Sequence, residues 1–188
     1  MVSIVKSGRL SQQQWIESAF ELLCEGGIDA LRVEPLAARL GVTKGSFYHH
    51  FENRRALHLA MLQTWEALGT ELIIDHVERA ETDPRKRLGA LARETFAHHG
   101  KADPIETAIR AWAALDEEVA AAVTRIDKRR IDFVVELAIA TGMKPALARR
   151  RTRLFYRSLI GEFFWRQTTG TPISTVEVDE LIELFFSP

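Results

Sequence analysis

The sequence has one cysteine, Cys24, among its 188 residues, so no intramolecular disulfide can form. A single thiol of this kind is typical of a reducing compartment, where it acts as a small buried hydrophobic group. No apolar run reaches the roughly 18 residues of a membrane-spanning helix. The N-terminus also lacks the apolar core and cleavage site of a secretory signal. These absences predict a cytoplasmic protein with no membrane partner.

An excess of charge of one sign is also missing, because 25 Lys and Arg residues face 26 Asp and Glu residues. A nucleic-acid binder with this balance needs its cations concentrated on one face. Residues 32–55 have such a concentration, with five cations against two anions, and Lys6 and Arg9 form a short basic arm before the first helix. The local positive charge is suited to phosphate contacts.

Strand-like alternation of apolar and polar residues is absent as well, and apolar residues recur with the period of a helix. Ile16, Phe20 and Leu23 follow Ser11, a predicted N-cap, and Gly26-Gly27 is predicted to end this helix. Asn53 is predicted to cap a long helix, one side of which carries Leu57, Met61, Trp65, Leu68 and Leu72. The pattern predicts an all-α protein of about nine helices, with an N-terminal helix-turn-helix domain at residues 1–53 and a C-terminal domain at residues 54–188. A helix shared between the domains would couple them mechanically.

Three short helices are predicted within residues 11–51, and a turn containing Gly41 joins the second to the third. This is the layout of a helix-turn-helix DNA reader. Its small core is predicted to contain Leu36, Ala37, Leu40, Val42 and Phe47. Gly45 is a poor helix former, by about 1 kcal/mol relative to Ala, so close approach to another surface explains it better than helix stability does.

Residues 31–57, LRVEPLAARLGVTKGSFYHHFENRRAL, resemble the DNA-binding segment of the TetR family of transcriptional regulators. The recurring family features are Leu36-Ala37, Gly41-Val42, Lys44-Gly45, Tyr48, His50-Phe51, and Arg54 followed by Leu57. The specific resemblance covers about residues 9–62. One departure is Arg32, which stands where family members usually carry a hydroxyl that caps the second helix and touches phosphate.

The resemblance implies that the third helix, about residues 43–50, enters the major groove of a palindromic double-stranded operator. Thr43, Lys44, Ser46 and His49 are expected nearest the bases, with Tyr48, His50 and Arg54 on phosphates. The complete set of expected DNA contacts is Arg9, Arg32, Thr43, Lys44, Gly45, Ser46, Tyr48, His49, His50 and Arg54.

The last two predicted helices carry more large apolar residues than one core stripe can bury. Symmetric dimers are the usual way to read two half-sites, and the resemblance implies that these helices pair with their copies as a four-helix bundle. The residues expected at this homodimer interface are Leu159, Phe163, Phe164, Leu181, Leu184 and Phe185.

Aromatic residues with polar neighbours are predicted to line a small-molecule pocket between the middle helices. The candidate ligand contacts are Trp65, Phe96, His98, Arg110, Trp112, Phe155, Tyr156 and Trp165. For each aromatic residue, a place in the core is the competing interpretation. The sequence thus predicts a homodimeric repressor that a small, largely apolar ligand releases from its operator.

A helical DNA-binding protein without a small-molecule effector stays open as the alternative. An enzyme using Glu94, His98 and His99 is disfavoured because nothing arranges a nucleophile or oxyanion donor around them. Adjacent histidines on a helix do not face each other, so neither His49-His50 nor His98-His99 is expected to chelate a metal. No catalysis, metal or cofactor is predicted.

Overall fold

The computed structural model describes residues 10–97 and 102–187, and this part of the chain contains helices and no strand. The all-α prediction is confirmed. Arg9 and His98, two of the predicted contacts, lie outside the described residues, as do Lys6 and His99. The chain divides into two compact units, residues 1–63 and 64–188. The boundary predicted after residue 53 stays a prediction about functional domains.

The N-terminal unit is built from α1 (Gln12–Ala30), α2 (Val33–Arg39), α3 (Lys44–Phe47) and the first part of α4 (Arg54–Glu66). Ser11 caps α1 as predicted, in a capping box with Gln14. Gly27 interrupts the helical backbone within α1 with a φ of +66°, at the glycine pair where the sequence predicted the helix to end.

The remaining helical elements are a π-helical turn (Ala67–Glu71), α5 (Leu72–Ala80), α6 (Pro84–Ala97), α7 (Ala102–Ala113), α8 (Glu117–Ala140), α9 (Pro145–Thr169) and α10 (Thr175–Phe186). Counting the continuous stretch from α4 through α5 as one helix gives nine in the described chain, as predicted. No helix within the described ranges combines the length and apolar character needed to cross a bilayer.

The π-helical turn Ala67–Glu71 changes which side chains are buried along the helix that follows Asn53. The sequence predicted that Leu68 and Leu72 share the buried side of Trp65, but both are 56% exposed. A π turn contains one extra residue, which rotates the following side chains by about 100°. Thr70 is therefore buried where the helical period placed a solvent-facing residue.

The core of the C-terminal unit is formed by apolar side chains from α5, α6, α8, α9 and α10. Phe155 of α9 lies at its centre, with ring centroids 5.3 Å from Phe96, 5.9 Å from Phe185 and 5.0 Å from Phe186. Ser174 caps α10 through a capping box with Glu177, and this cap fixes the start of the helix that closes the core.

Candidate nucleic-acid interface

The turn between α2 and α3 is set by the backbone of Gly41, whose φ is +67°. The Val42 amide donates to the Ala37 carbonyl at 3.0 Å, and the Gly41 amide donates to the Ala38 carbonyl at 3.1 Å. These two bonds form a Schellman motif, which ends a helix with a left-handed residue. An added Cβ at Gly41 would meet no atom within 4 Å. The backbone angle, rather than lack of space, therefore requires glycine here.

Phe47 anchors α3, which has only four residues and cannot be stable alone. Its side chain is fully buried, with ring centroids 5.6 Å from Trp15 of α1 and 5.3 Å from Phe51. Leu36 and Ala37 of α2 are buried beside it in the core of the unit. Three members of the predicted helix-turn-helix core are thus buried, whereas Leu40 and Val42 are half-buried. This core fixes the direction in which the other side of α3 points.

The opposite side of α3 presents short polar groups, one cation and aromatic groups to solvent. The exposed residues are Thr43, Lys44, Gly45, Tyr48 and His49, while Ser46 and His50 are half-buried. The His50 ring lies 6.1 Å from the Trp15 ring, so its inner edge is held by the core. Seven of the residues predicted to contact DNA therefore form one continuous surface, which we call the reading surface.

Gly45 lies within the reading surface, and no contact among the described residues requires a glycine there. An added Cβ would lie 3.7 Å from the Thr43 hydroxyl oxygen, which is an ordinary contact. The backbone angle is also not left-handed, because Gly45 is not among the positive-φ glycines. The missing side chain leaves room for a close approach of another molecule to α3.

Ion pairs neutralise part of the positive charge that the sequence places around this surface. Lys44 Nζ lies 2.5 Å from Glu34 Oε1 of α2. Hydrogen bonding between the two groups raises the pKa of Lys44 and lowers the pKa of Glu34. Arg39 pairs with Glu25 of α1, at 2.9 Å between Nη1 and Oε2. Of the five cations, Arg39 is thus directed towards α1, and Lys44 has an acidic neighbour.

Arg32 and Arg54 are both exposed, each next to the start of a helix. Arg32 occupies the N-cap of α2 in an extended conformation, and its side chain makes no capping hydrogen bond. The missing hydroxyl therefore leaves the first turn of α2 without a side-chain cap. Before Arg54, Asn53 accepts a hydrogen bond from the Ala56 amide at 2.9 Å, which confirms the predicted cap.

Comparison with known proteins identifies this arrangement. Residues 16–61 match the family model for bacterial regulatory proteins of the tetR family. This N-terminal segment carries the tetR family domain. Relatives include the class A tetracycline repressor of Escherichia coli from transposon 1721, 40% identical over 85 residues that cover 45% of this chain. The transcriptional regulator AcuR of Cereibacter sphaeroides is 30% identical over 94 residues, 48% of this chain.

These matches cover 38% of the class A repressor and 43% of AcuR, so the chain spans less than half the length of each relative. Solved structures match across nearly the whole chain. A transcriptional regulator from Saccharomonospora viridis in complex with choline has a TM-score of 0.77, at 14% identity, covering 93% of this chain and 94% of its own. The fatty acid degradation regulator FadR of Bacillus halodurans has a TM-score of 0.71, at 18% identity and 97% coverage of both chains. These structures support the fold.

Three of the predicted ligand contacts, Trp65, Arg110 and Tyr156, meet in a buried polar cluster of the C-terminal unit. The Trp65 indole donates to Glu106 Oε2 at 2.7 Å, and Arg110 Nη2 donates to Glu106 Oε1 at 2.7 Å. The Tyr156 hydroxyl donates to Asp127 Oδ1 at 2.7 Å. The other members of the cluster are Thr70, Glu106, Asp127 and Arg130.

Arg130 links this cluster to the π-helical turn. Its Nε donates to the Thr70 hydroxyl at 2.8 Å, and its guanidinium lies 5.0 Å from the centre of the Trp65 ring. Gly69 makes room for it, since a Cβ there would lie 3.0 Å from Arg130 Nη2. The extra residue of the π turn thus brings Thr70 to a buried arginine.

The charges of the polar cluster balance, with Arg110 and Arg130 facing Glu106 and Asp127. Burial opposes the charge on Arg110, but its hydrogen bond to Asp127 and the nearby Glu106 outweigh that effect and raise the pKa of Arg110. Burial raises the pKa of Tyr156, so this phenol stays protonated and donates to Asp127. A balanced, hydrogen-bonded set of this kind is the condition under which charges can be buried.

The other predicted ligand contacts lie elsewhere in the unit or belong to its packing. Phe96 and Phe155 lie in the apolar core, Trp112 is buried, and Trp165 is 62% exposed. The sequence reasoning missed Glu106, Asp127 and Arg130. Only the i, i+4 spacing of Glu106 and Arg110 could have signalled an ion pair, because the rest of the cluster joins helices distant in sequence.

The residues predicted at the dimer interface divide into inward and outward groups. Leu159 lies in the core of the unit, and Phe163, Leu181 and Phe185 pack partly against that core. Phe164 and Leu184 are 45% and 69% exposed. A groove of about 610 Å³ beside α10 has Leu184 in its wall together with Glu177, Glu180 and Glu183. The outward face of α10 is thus apolar and acidic.

Proposed function

We propose that this chain is a sequence-specific, DNA-binding transcriptional regulator that acts as a homodimeric repressor. The reading surface carries the proposal. It combines a glycine turn, a helix anchored by Phe47, and a row of exposed donors that no packing requirement explains. The match of residues 16–61 to the tetR family model supports the same function.

In the proposed binding mode, some side chains of the reading surface contact base edges, and the others, together with neighbouring arginines, contact phosphates. Residues at the start of a recognition helix contact base edges, which favours Thr43, Lys44 and Ser46, with His49 one turn later. Tyr48, His50, Arg32 and Arg54 would contact phosphates and set the register, as would Arg9 of the basic arm. Gly45 would allow the backbone of α3 to approach the groove closely.

The reading surface can be tested with a double variant, Lys44→Ala with Tyr48→Ala, in a fluorescence anisotropy assay on operator DNA. The charge-matched control is Lys86→Ala, because the Lys86 side chain is 73% exposed in the C-terminal unit. We expect the double variant to lose at least tenfold in affinity, since each lost contact removes on the order of 1 kcal/mol or more. Wild-type affinity in the double variant would refute this function.

We further propose that α9 and α10 form the homodimer interface. Phe164 and Leu184 give these helices exposed apolar groups. Arg150, Arg153 and Arg157 are exposed along α9, whereas Glu180 and Glu183 are exposed on α10. Contact between α9 of one copy and α10 of the other would therefore bring opposite charges together. The palindromic operator expected for the family would match such a two-fold symmetric pair.

Sedimentation velocity can test the interface with Leu184→Asp, which places a charge on the exposed apolar face. The matched control is Leu115→Asp, because Leu115 is 78% exposed between α7 and α8. We expect Leu184→Asp to sediment as a monomer and Leu115→Asp to remain dimeric. A dimeric Leu184→Asp variant would contradict the assignment of this face.

The C-terminal unit is proposed to bind a small, largely apolar ligand that releases the repressor from its operator. The polar cluster gives such a ligand a few fixed hydrogen-bonding groups among aromatic side chains, as in ligand sites generally. The ligand would alter the spacing or mobility of the two reading surfaces through α4. It can do so only by binding the free and DNA-bound states with different affinities.

A thermal-shift screen of apolar small molecules tests the ligand proposal, because specific binding to the folded protein raises its melting temperature. Each hit is then added to the protein–operator complex, where we expect DNA release. Tyr156→Phe, which removes one hydroxyl from the polar cluster, should weaken the response. A protein that binds operator but responds to no ligand would favour the alternative of a DNA-binding protein without an effector.

A further inference from the structure

An acidic residue lies beside the reading surface, where phosphates would repel it. Glu34 is in the first turn of α2, and Lys44 is the first residue of α3. The Gly41 turn brings them together, with 2.5 Å between Lys44 Nζ and Glu34 Oε1. The Lys44 side chain is 53% exposed and the Glu34 side chain 63% exposed, so both are accessible to an approaching molecule.

Stability does not account for this pair. Exposed ion pairs contribute little to folding, because water screens them and the side chains lose freedom. A carboxylate next to DNA phosphates also opposes binding. The groups on DNA that stabilise a carboxylate are the exocyclic amines on base edges, and cytosine N4 is the usual partner of Glu in the major groove. Lysine is complementary to the O6 and N7 acceptors of guanine.

We propose that Glu34 and Lys44 act together to read one G·C base pair in each half-site. Lys44 donates to guanine O6 and N7, and Glu34 accepts from cytosine N4. Guanine O6 and cytosine N4 are hydrogen-bonded to each other and so lie about 2.9 Å apart, close to the 2.5 Å between the two side-chain atoms. An A·T base pair places a donor between its two acceptors and adds a methyl group. This pattern does not match the Glu34 and Lys44 side chains.

This inference rests on the proposed DNA-binding function and adds a specificity determinant to it. The test is selection from a randomised DNA library by the full-length protein and its variants. We expect the wild-type protein to select G·C at one symmetric position in each half-site. Glu34→Ala should lower the preference for G·C over A·T at that position by about tenfold. Preferences at the other positions should be unchanged.

Glu34→Gln gives a second, sharper readout. A glutamine amide pairs with adenine N6 and N7, so this variant should shift the preference at the same position towards A·T. Glu25→Ala is the matched control, because Glu25 pairs with Arg39 of α2 away from α3. It removes the same charge from the same unit and should leave every positional preference intact.

Two outcomes would overturn the inference. If Glu34→Ala binds all sequences more tightly with unchanged preferences, the carboxylate only repels phosphate. If the Glu34→Gln preference matches that of the wild type, Glu34 does not read a base. A wild-type protein that selects no sequence is a different result, because it refutes the proposed function itself.

Discussion

Phe47 meets Trp15 edge to face, with ring centroids 5.6 Å apart and both side chains fully buried. This contact joins the four-residue helix α3 to the much longer α1. The position of the exposed side of α3 therefore depends on the aromatic core of the N-terminal unit, in which this contact lies. A defect in this core should impair DNA binding without changing any residue of the reading surface.

The first prediction concerns Phe47→Ala. Removing a buried phenyl ring leaves a cavity, so we expect a loss of about 3–5 kcal/mol in the free energy of unfolding. Urea denaturation followed by circular dichroism measures this loss, and anisotropy should show weakened operator binding. Phe47→Leu keeps most of the side-chain volume, so it should lose less stability and less operator affinity than Phe47→Ala. A Phe47→Ala variant as stable as the wild type would show that α3 is held differently.

The second prediction compares two glycines four residues apart. Gly41→Ala forces an L-residue into a left-handed backbone, so we expect a loss of about 1–2 kcal/mol in stability. Gly45→Ala meets no such penalty. Because alanine has the better helix propensity, this variant should gain up to about 1 kcal/mol in the free energy of unfolding. Thermal unfolding should therefore show a lower melting temperature for Gly41→Ala than for the wild type, and an equal or higher one for Gly45→Ala.

Operator binding should separate the same pair of variants in a second way. Gly45→Ala should be folded and at least as stable as the wild type, yet bind DNA more weakly, because its methyl group keeps α3 from the groove. Full operator affinity in Gly45→Ala would mean that DNA does not approach the backbone at this position.

The third prediction concerns the polar cluster. Glu106→Ala removes the carboxylate that contacts both Arg110 and Arg130, leaving buried charge uncompensated. We expect a loss of about 3–5 kcal/mol in the free energy of unfolding. Asp132→Ala is the control, because its i, i+4 pair with Lys128 is exposed and should contribute less than about 1 kcal/mol. Equal losses in the two variants would contradict the structural role of the cluster.

The fourth prediction concerns pH and the cap of α10. Hydrogen bonds from the Ser174 hydroxyl and amide lower the pKa of Glu177 in the folded chain. The contribution of ionised Glu177 to folding stability is therefore complete above the unfolded carboxyl pKa of about 4.3. It is lost as the pH falls through the lower pKa of Glu177 in the folded chain. Ser174→Ala should cost about 1 kcal/mol at pH 7, with a smaller difference from the wild type in strong acid. A difference that does not change across this acid range would contradict the linkage.

The sequence predicted the helix-turn-helix well because its signals are local. Gly41 needs a left-handed backbone, Ser11 and Asn53 cap helices, and Phe47 and Phe51 have the i, i+4 spacing of one helical face. Each of these signals depends on residues within a few positions of each other. The buried and exposed sides of α3 could therefore be assigned before the structure was known.

The C-terminal unit was predicted less completely because its polar cluster depends on long-range geometry. Arg130 and Thr70 are 60 residues apart, and a π-helical turn brings them together. No simple period signals a π turn, so Leu68 and Leu72 were wrongly placed on the buried side. The polar cluster could not be predicted from the sequence, because its residues meet only when the helices pack together.

The central claim is that the exposed side of α3 reads DNA, and selection of bound genomic fragments tests it most directly. We predict that the wild-type protein enriches a palindromic element whose half-sites are separated by about 34–36 Å or a multiple of that distance. The Lys44→Ala, Tyr48→Ala double variant should enrich no such element. Enrichment of the same element by both proteins, or of none by the wild type, would contradict the account.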